Sequence, residues 1–270
     1  MGGLSVVHIP PLPTAQAQSM ALVMSKDASI AELAAVIETD PAMTLGILRL
    51  ANAAAAQPVA RVAKVSQAMI RIGLEDTRRV VLSVALNSGT AANQFAQSGI
   101  DGDELWRHVV GVGLLAHGIV SVDPSLQEYR HHAFSAGLLH DIGRLAMAAT
   151  APDRYRRVVD SIICGADPLE AERREFADDH AVVGGVVGRS WQLPTAIVDA
   201  IEGHPAGDAP LAVAVRRASV LAGRLGIGDG IRAAEPASLQ STDDDALAVM
   251  HLGGPERLLN RIEWFRGALA

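Results

Sequence analysis

The sequence has few aromatic residues, a single cysteine and no long apolar run, and each shortage excludes a class of protein. Aromatic residues make up 3% of the 270 residues and hydrophobic residues 49%, so the core must consist mainly of Ala, Leu, Val and Ile. One cysteine, Cys164, excludes a disulfide framework within the chain and fits a reducing compartment. We find neither an apolar segment of eighteen residues nor a signal-peptide pattern, and therefore expect a cytoplasmic protein without membrane insertion.

The charge of the chain is also informative. The formal net charge is -7, and the sequence contains no long run of basic residues. Nucleic-acid binding requires clustered Lys and Arg side chains that neutralise phosphates. We therefore expect no nucleic-acid partner.

Helix-boundary patterns predict where several helices begin. Ser29 and Glu32 have the spacing of a capping box, in which each side chain satisfies a backbone amide near the helix start. Asp40-Pro41 and Asp167-Pro168 each combine an acidic N-cap with proline at the first helical position. Glycine at position 73 is typical of a helix end.

Apolar periodicity extends these starts into helices along the whole chain. The main predicted segments are 14–24, 30–37, 41–52, 66–72, 74–93, 106–122, 128–149, 152–163, 179–191, 194–202, 210–225, 243–251 and 255–269. No alternating strand pattern and no internal repeat is found. We predict an all-α fold with a helical half over about 8–95, a second half over about 103–226 and a C-terminal helical tail over 227–270.

The most informative stretch is 136–145, where His140 and Asp141 follow an apolar helical run and precede Gly143. A neutral imidazole and a carboxylate are both good ligands for a borderline divalent metal. Neighbouring residues on a helix point about 100° apart, so they bracket one ion only if it lies close to the backbone. We expect Gly143 to permit that approach. A His-Asp dipeptide alone is a weak indication.

Further short patterns accompany this motif in a fixed order: Leu12-Pro13, Ile37–Met43, Leu48–Asn52, Ala68–Gly73, Leu105–His108, Gly137–Gly143, His180–Gly184, Trp191–Pro194 and Ala200–His204. Together they cover roughly residues 8 to 226, and with them the chain resembles the HDOD family, the HD-related output domain of bacterial signalling proteins. The resemblance implies an all-helical fold whose C-terminal half is related to the catalytic HD fold. It also implies a role in signal output rather than a well-defined reaction.

The resemblance extends to the metal site of HD-type phosphohydrolases, which use a His, a His-Asp pair and a distant Asp. His108 matches the first ligand, and His140 with Asp141 matches the pair. Ser219 stands where the last aspartate is expected, and Asp229 lies in a predicted loop. A serine hydroxyl is a poor ligand for a dication, so the resemblance implies a degenerate metal site.

Three more residues are candidates for this site. His180 and His204 resemble the additional histidines of the HD branch that hydrolyses cyclic dinucleotides, and they would bring the metal ligands to five. Arg144 replaces the lysine that usually follows the motif's glycine, and we expect it to meet a phosphate or other anionic ligand. The cofactor would be a divalent metal (Fe, Mn, Zn or Mg); otherwise we expect none.

Each candidate ligand also has a structural interpretation. His140 and Asp141 would then form a buried hydrogen-bonded pair that satisfies helix ends, and His108 would donate to a backbone carbonyl in the core. His180 would lie in the first turn of a helix behind an acidic N-cap. His204 would lie at a helix end, where the dipole favours a cation.

Two functions of different class follow. The first is a non-catalytic signalling module that binds a partner signalling protein or a nucleotide second messenger. The second is a divalent-metal phosphohydrolase acting on a nucleotide or cyclic dinucleotide. Because the fourth ligand is missing, the sequence favours the first.

Overall fold

Several helices of this chain begin at a residue whose side chain caps them. A computed structural model describes residues 22–23, 25, 28–53, 61–88, 97–231 and 243–266, and all regular structure within them is helical. The predicted all-α fold is therefore confirmed. The helix predicted over 14–24 lies outside the described residues except at 22–23, as does the end of the helix predicted to reach 93.

Among the described residues before 97, four helices are present: α1 (Ile30–Ile37), α2 (Pro41–Ala53), α3 (Val65–Ile72) and α4 (Leu74–Ser88). After it come α5 (Gly102–Val122), a 3-10 helix (Pro124–Tyr129), α6 (Arg130–Leu139), α7 (Ile142–Thr150), α8 (Pro152–Ile163), α9 (Pro168–Phe176), α10 (His180–Ser190), α11 (Thr195–Gly203), α12 (Pro210–Arg224), α13 (Asp243–His251) and α14 (Pro255–Arg266).

The predicted caps are present at three helix starts. The Glu32 amide donates to Ser29 Oγ at 3.2 Å, and the Ser29 amide donates back to the Glu32 carboxylate at 2.8 Å. Asp40 Oδ1 accepts from the Met43 amide at 3.1 Å. Asp167 caps α9 in the same way, through a 3.0 Å hydrogen bond from a first-turn amide. Local sequence therefore determines where these helices begin.

The described residues form two compact units. The smaller contains α1–α4 with residues 260–266, and the larger contains 97–231 with 243–259. In the smaller unit α2 packs on α3 and α4, and α1 packs on α3, which buries Leu33, Ile37, Met43, Ile47 and Met69. The domain boundaries given above from the sequence stay predictions.

The central helix of the larger unit is α5, which packs against α6, α12 and α13. It begins at Gly102 because Asp101 caps it, accepting from the Glu104 amide at 3.0 Å. The predicted start at Trp106 was therefore wrong, and His108 lies in the second turn rather than the first. That position is buried in the unit.

Helix α5 is also long and apolar enough to span a membrane by length and composition, with mean hydropathy 1.4 over its 18-residue window. This differs from the sequence-based expectation that no apolar segment of that length exists. However, 78% of the window is buried against the rest of the protein. A core helix passes the same test, so the feature is weak evidence for a membrane span.

A close contact between α5 and α6 brings the first two candidate ligands together. A Cβ at Gly137 would lie 2.7 Å from the Gly113 Cα and 2.7 Å from the Val112 carbonyl oxygen. With glycine at both positions the backbones meet directly. The rings of His108 and His140 then lie 5.3 Å apart, centroid to centroid.

Candidate metal-binding site

The helix predicted over 128–149 is interrupted at the His-Asp motif. Helix α6 ends at Leu139 and α7 begins at Ile142, so that part of the prediction was wrong. Asp141 is the N-cap residue of α7, with φ -98° and ψ 16°, but its side chain makes no cap hydrogen bond. Its carboxylate instead lines a pocket. Because the helix is interrupted here, Asp141 occupies an N-cap position, but its carboxylate belongs to the candidate site and not to a helix cap.

Gly143 brings a second helix to the motif. A Cβ at this position would lie 1.9 Å from the His180 carbonyl oxygen and 2.8 Å from the Gly184 amide nitrogen. Only glycine allows α10 to pack this closely on α7. The sequence predicted that Gly143 allows an ion to approach the backbone. The structure gives a different reason for the glycine: it allows α10, which carries His180, to pack against α7.

All six candidate residues line one pocket of about 260 Å³ in the larger unit: His108, His140, Asp141, Arg144, His180 and His204. Ser219, Asp167 and Asp229 line it as well. The structure therefore brings together residues that are up to 121 positions apart, from His108 to Asp229. That they bind a metal stays a prediction.

Five of these residues form two groups whose candidate ligand atoms lie within 4.8 Å of one another. The first group is His108, His140 and Asp141, and the second is Asp141, His180 and His204. All five side chains are buried. Asp141 belongs to both groups, so its two oxygens are the centre of the site.

Two of the imidazole rings are held by backbone carbonyls. Nδ1 of His140 lies 2.7 Å from the Gly137 oxygen, and Nδ1 of His204 lies 2.8 Å from the Ile201 oxygen. A carbonyl only accepts, so Nδ1 must be the donor in both rings. In the neutral ring Nε2 then carries a lone pair, which is the form that binds a metal.

A buried carboxylate holds the third ring. Nδ1 of His180 lies 2.6 Å from Glu172 Oε2, which also accepts from the His180 amide at 2.9 Å. The Tyr155 hydroxyl donates to the other oxygen, Oε1, at 2.9 Å. Both Glu172 and Tyr155 are fully buried. Sequence reasoning missed them, because Glu172 lies in the charged run 172–175, a pattern typical of a solvated face.

The free nitrogens of these three rings converge on Asp141. Its oxygens lie 3.4 Å from Nε2 of His140, 3.4 Å from Nε2 of His180 and 3.7 Å from Nε2 of His204. The last two nitrogens are 3.2 Å apart. Lone pairs and carboxylate oxygens repel one another unless a proton or a cation lies among them. The donor set fits a divalent metal, and imidazole nitrogen suits Zn or Fe better than Mg.

The fourth ring, that of His108, lacks a comparable acceptor at Nδ1 within the described ranges. Nδ1 of His108 is buried and has no hydrogen-bond partner in the part of the chain that the structure describes. Burial lowers the pKa of His108, although Asp141 opposes this effect. The backbone carbonyl that the structural interpretation assigned to this ring is therefore not found at Nδ1 among the described residues.

Burial keeps two of the rings neutral near pH 7. It lowers the pKa of His140 to about 4 and, together with the neighbouring His140, lowers the pKa of His204 to about 3. Burial alone would raise the pKa of Asp141, but Arg144 and the surrounding rings outweigh it and hold that pKa well below its usual range. The site therefore combines an ionised carboxylate with neutral imidazoles.

Arg144 is surrounded by carboxylates. Its Nη1 lies 3.3 Å from Asp141 Oδ2 and 3.3 Å from Asp229 Oδ2, and its Nε lies 3.8 Å from Glu172 Oε1. Burial would lower the pKa of Arg144, but these acidic neighbours hold it above its usual value. An incoming phosphate would have to compete with three carboxylates, so the anion-binding role of Arg144 stays a prediction.

Two further residues that line the pocket are Ser219 and Asp229. Ser219, on α12, lines the pocket at the position where an aspartate was expected. Asp229 reaches the pocket from the turn after α12, where its Oδ1 accepts from the Ile231 amide at 3.0 Å. The sequence correctly placed Asp229 in a loop, but loop position alone gives no indication of where a side chain points.

Comparison with known proteins identifies the family. The HDOD domain matches residues 9–206, and the chain belongs to this family, as the sequence motifs indicated. The structure resembles that of an HDOD domain protein with unknown function from Geobacter sulfurreducens, at 22% identity and a TM-score of 0.71, covering 97% of this chain and 92% of that one. This likeness supports the fold, and the family supports a signalling output module as the broad class.

Two other relatives are longer than this chain. An uncharacterized protein of Treponema pallidum (strain Nichols) is 24% identical over 206 residues, which are 73% of this chain and 37% of that protein. A proposed signal transduction protein from Marinobacter aquaeolei VT8 has a TM-score of 0.75 at 21% identity, over 96% of this chain and 60% of that one. The chain thus spans about 37% of the curated relative that it matches.

Proposed function

We propose that this chain is a non-catalytic output module of bacterial signalling that holds a divalent cation in the His/Asp pocket and acts by binding a partner. The observation that carries the proposal is the convergence of three imidazole Nε2 atoms on the Asp141 carboxylate. Such a cluster of acceptors is stable when a cation lies within it. HDOD membership supports the signalling part.

The positions of the ligands suggest what the cation does for the module. His108 lies on α5, His140 and Asp141 lie between α6 and α7, and His180 and His204 lie at one end each of α10 and α11. A bound dication would connect these elements through their side chains. Gain or loss of the cation would then alter how firmly the helices of the larger unit are held together.

The charges around the pocket favour a partner protein over a free nucleotide. Three carboxylates (Asp141, Glu172 and Asp229) face the single guanidinium of Arg144. Without a metal, this excess of negative charge would repel phosphate groups. A nucleotide second messenger remains the second ligand class, and its binding would depend on the cation.

The alternative function is a divalent-metal phosphohydrolase that acts on a nucleotide or cyclic dinucleotide. The observation that favours it is the sharing of Asp141 by two three-residue groups, since two adjacent metals can activate water and clamp a phosphate. Ser219 and the compensated charge of Arg144 weigh against it. A serine hydroxyl is a poor ligand for a dication, and a guanidinium that already faces three carboxylates offers less positive charge to a phosphate.

One set of measurements tests the proposal against this alternative. Protein purified without chelator is analysed for metal content, then assayed with added Zn²⁺, Mn²⁺ or Fe²⁺ for turnover of nucleoside triphosphates and cyclic dinucleotides. We expect bound metal and no phosphate release. Asp141→Ala should lose the metal, whereas Asp160→Ala, which changes an exposed aspartate on α8, should keep it.

Each part of the proposal would be contradicted by a particular result. Phosphate release that Asp141→Ala abolishes would establish the hydrolase instead. Protein that contains no metal, and whose thermal stability is unchanged by added Zn²⁺, Mn²⁺ or Fe²⁺, would contradict cation binding.

A further inference from the structure

The two groups of candidate ligands in the pocket differ in how their histidines are held. In the group of Asp141, His180 and His204, both rings have a hydrogen-bond acceptor behind Nδ1, at 2.6 Å for His180 and 2.8 Å for His204. Their Nε2 atoms are 3.2 Å apart and face the same oxygen of Asp141. This group is already arranged around one point.

The group of His108, His140 and Asp141 is less complete. His140 is anchored by the Gly137 carbonyl at 2.7 Å, but Nδ1 of His108 is buried without a hydrogen-bond partner among the described residues. An imidazole without such an acceptor has neither its tautomer nor its ring orientation fixed by the protein. The free energy of binding a cation there would therefore include an unfavourable contribution from ordering the His108 ring.

Glu172 distinguishes the two groups further. Its carboxylate is fully buried and receives three hydrogen bonds, two from His180 and one from the Tyr155 hydroxyl. Burying a carboxylate costs free energy unless it is paired, and Glu172 is paired with His180 on one oxygen and with Tyr155 and Arg144 on the other. A carboxylate behind a ligating imidazole raises its basicity and adds negative charge near the ion.

We propose that a divalent cation binds first to Asp141, His180 and His204, and that Glu172 is the positioning residue that makes this group the tighter of the two. The primary cation site of this chain then lies on the α10–α11 side of Asp141, not on the His108 side. The inference rests on the cation binding proposed above and says where in the pocket that binding begins.

Zinc titrations of the full chain test this order. We expect Glu172→Gln to weaken the first Zn²⁺ equivalent by about 10–100-fold, as removal of an outer-shell carboxylate typically does, and His180→Gln to weaken it at least as much. His108→Gln should leave it unchanged within the error of the titration. Glu175→Gln is the matched control, because Glu175 lies on the same helix and pairs with Arg157 at the surface.

Zinc X-ray absorption gives a second readout that does not depend on affinity. With one equivalent of Zn²⁺, His180→Gln should lose one imidazole from the coordination shell, and His108→Gln should lose none. If Glu172→Gln does not fold, Tyr155→Phe removes a hydrogen bond from the same carboxylate and should weaken Zn²⁺ binding in the same direction.

The possible outcomes separate this inference from the proposed function. If His108→Gln weakens the first equivalent more than Glu172→Gln, or removes an imidazole from its shell, the order of sites is wrong although the module still binds a cation. If the unmodified protein binds no Zn²⁺, the proposed cation binding itself is contradicted.

Discussion

Oε2 of Glu172, on α9, lies 2.6 Å from Nδ1 of His180, on α10. Glu172 precedes His180 by eight positions in the chain. The same carboxylate accepts from Tyr155 on α8 and lies 3.8 Å from Arg144 on α7. Four consecutive helices, α7 to α10, thus meet at one buried charge. The candidate metal site is therefore built on a polar network within the larger unit, and its geometry depends on residues outside the His-Asp motif.

Arg144 should be important for stability because it compensates buried carboxylates. In Arg144→Met, Asp141 and Glu172 would stay buried without their nearest cation, and we expect the free energy of unfolding to fall by about 3–5 kcal/mol. Urea unfolding followed by circular dichroism, in the presence of a chelator, measures this. Arg156→Met is the control: it breaks an exposed pair with Asp160, for which about 0–1 kcal/mol is expected. Equal losses in the two variants would contradict the prediction.

Stability of the metal-free protein should fall on acidification. Burial lowers the pKa of His140 to about 4 and that of His204 to about 3, from an ordinary value of 6.5. Between pH 6.5 and about 4 the unfolded chain therefore binds protons that the folded chain does not, and the free energy of unfolding decreases as the pH falls. Asp141 and Glu172, whose pKa values are lowered, act in the same direction at lower pH.

Urea unfolding at a series of pH values with chelator measures this slope. Substituting both His140 and His204 by Gln should flatten it between pH 6.5 and 4, whatever the variant's stability at pH 7. A slope of zero or of opposite sign in the unsubstituted protein would show that these rings are not buried in the neutral form.

The sequence allowed the helices to be predicted better than the site. Capping is local: Ser29 and Asp167 lie three residues from the amides that they accept from, so a short window contains the whole interaction. Asp179 caps α10 as the structural interpretation of His180 required, yet the same His180 lines the pocket. The two interpretations of this residue are therefore compatible, and sequence reasoning treated them as alternatives.

The residues that sequence reasoning missed interact over longer distances. Glu172 differs from the neighbouring acidic residues of α9 only in facing the core, and this depends on how α8, α9 and α10 pack. Asp229 was correctly assigned to a loop, but nothing near it in the sequence indicates that its carboxylate lies 3.3 Å from Arg144, 85 positions away. The interruption at Asp141 likewise follows from packing, since the flanking residues continue a helical pattern.

Gly143→Ala should disturb the site through the backbone. The added methyl group would lie 1.9 Å from the His180 carbonyl oxygen, so α10 must move away from α7 and take His180 with it. We expect a lower melting temperature and weaker Zn²⁺ binding, measured by thermal unfolding and titration calorimetry. Gly223→Ala is the control, because its Cβ would meet nothing within 4 Å; in a helix this change stabilises by about 0.5–1 kcal/mol. Unchanged Zn²⁺ binding in Gly143→Ala would contradict the proposed close packing.

Ser219→Asp should restore the acidic ligand that the resemblance to HD-type phosphohydrolases leads one to expect at this position. Ser219 lines the pocket with Asp141, Asp167 and Asp229, so a further carboxylate raises the repulsion in the metal-free protein and the attraction for a dication. We expect the variant to be less stable than the unsubstituted protein with chelator, and to bind Zn²⁺ about tenfold more tightly, which corresponds to about 1.4 kcal/mol.

Thermal unfolding with chelator and titration calorimetry with Zn²⁺ measure these two opposite effects. Ser219→Asn, which has nearly the same shape without the charge, should show neither. If Ser219→Asp lowers the stability but does not tighten Zn²⁺ binding, the new carboxylate does not reach the ion, and the serine at this position does not limit metal binding. If Ser219→Asn tightens binding equally, the effect is due to the shape of the side chain and not to its charge.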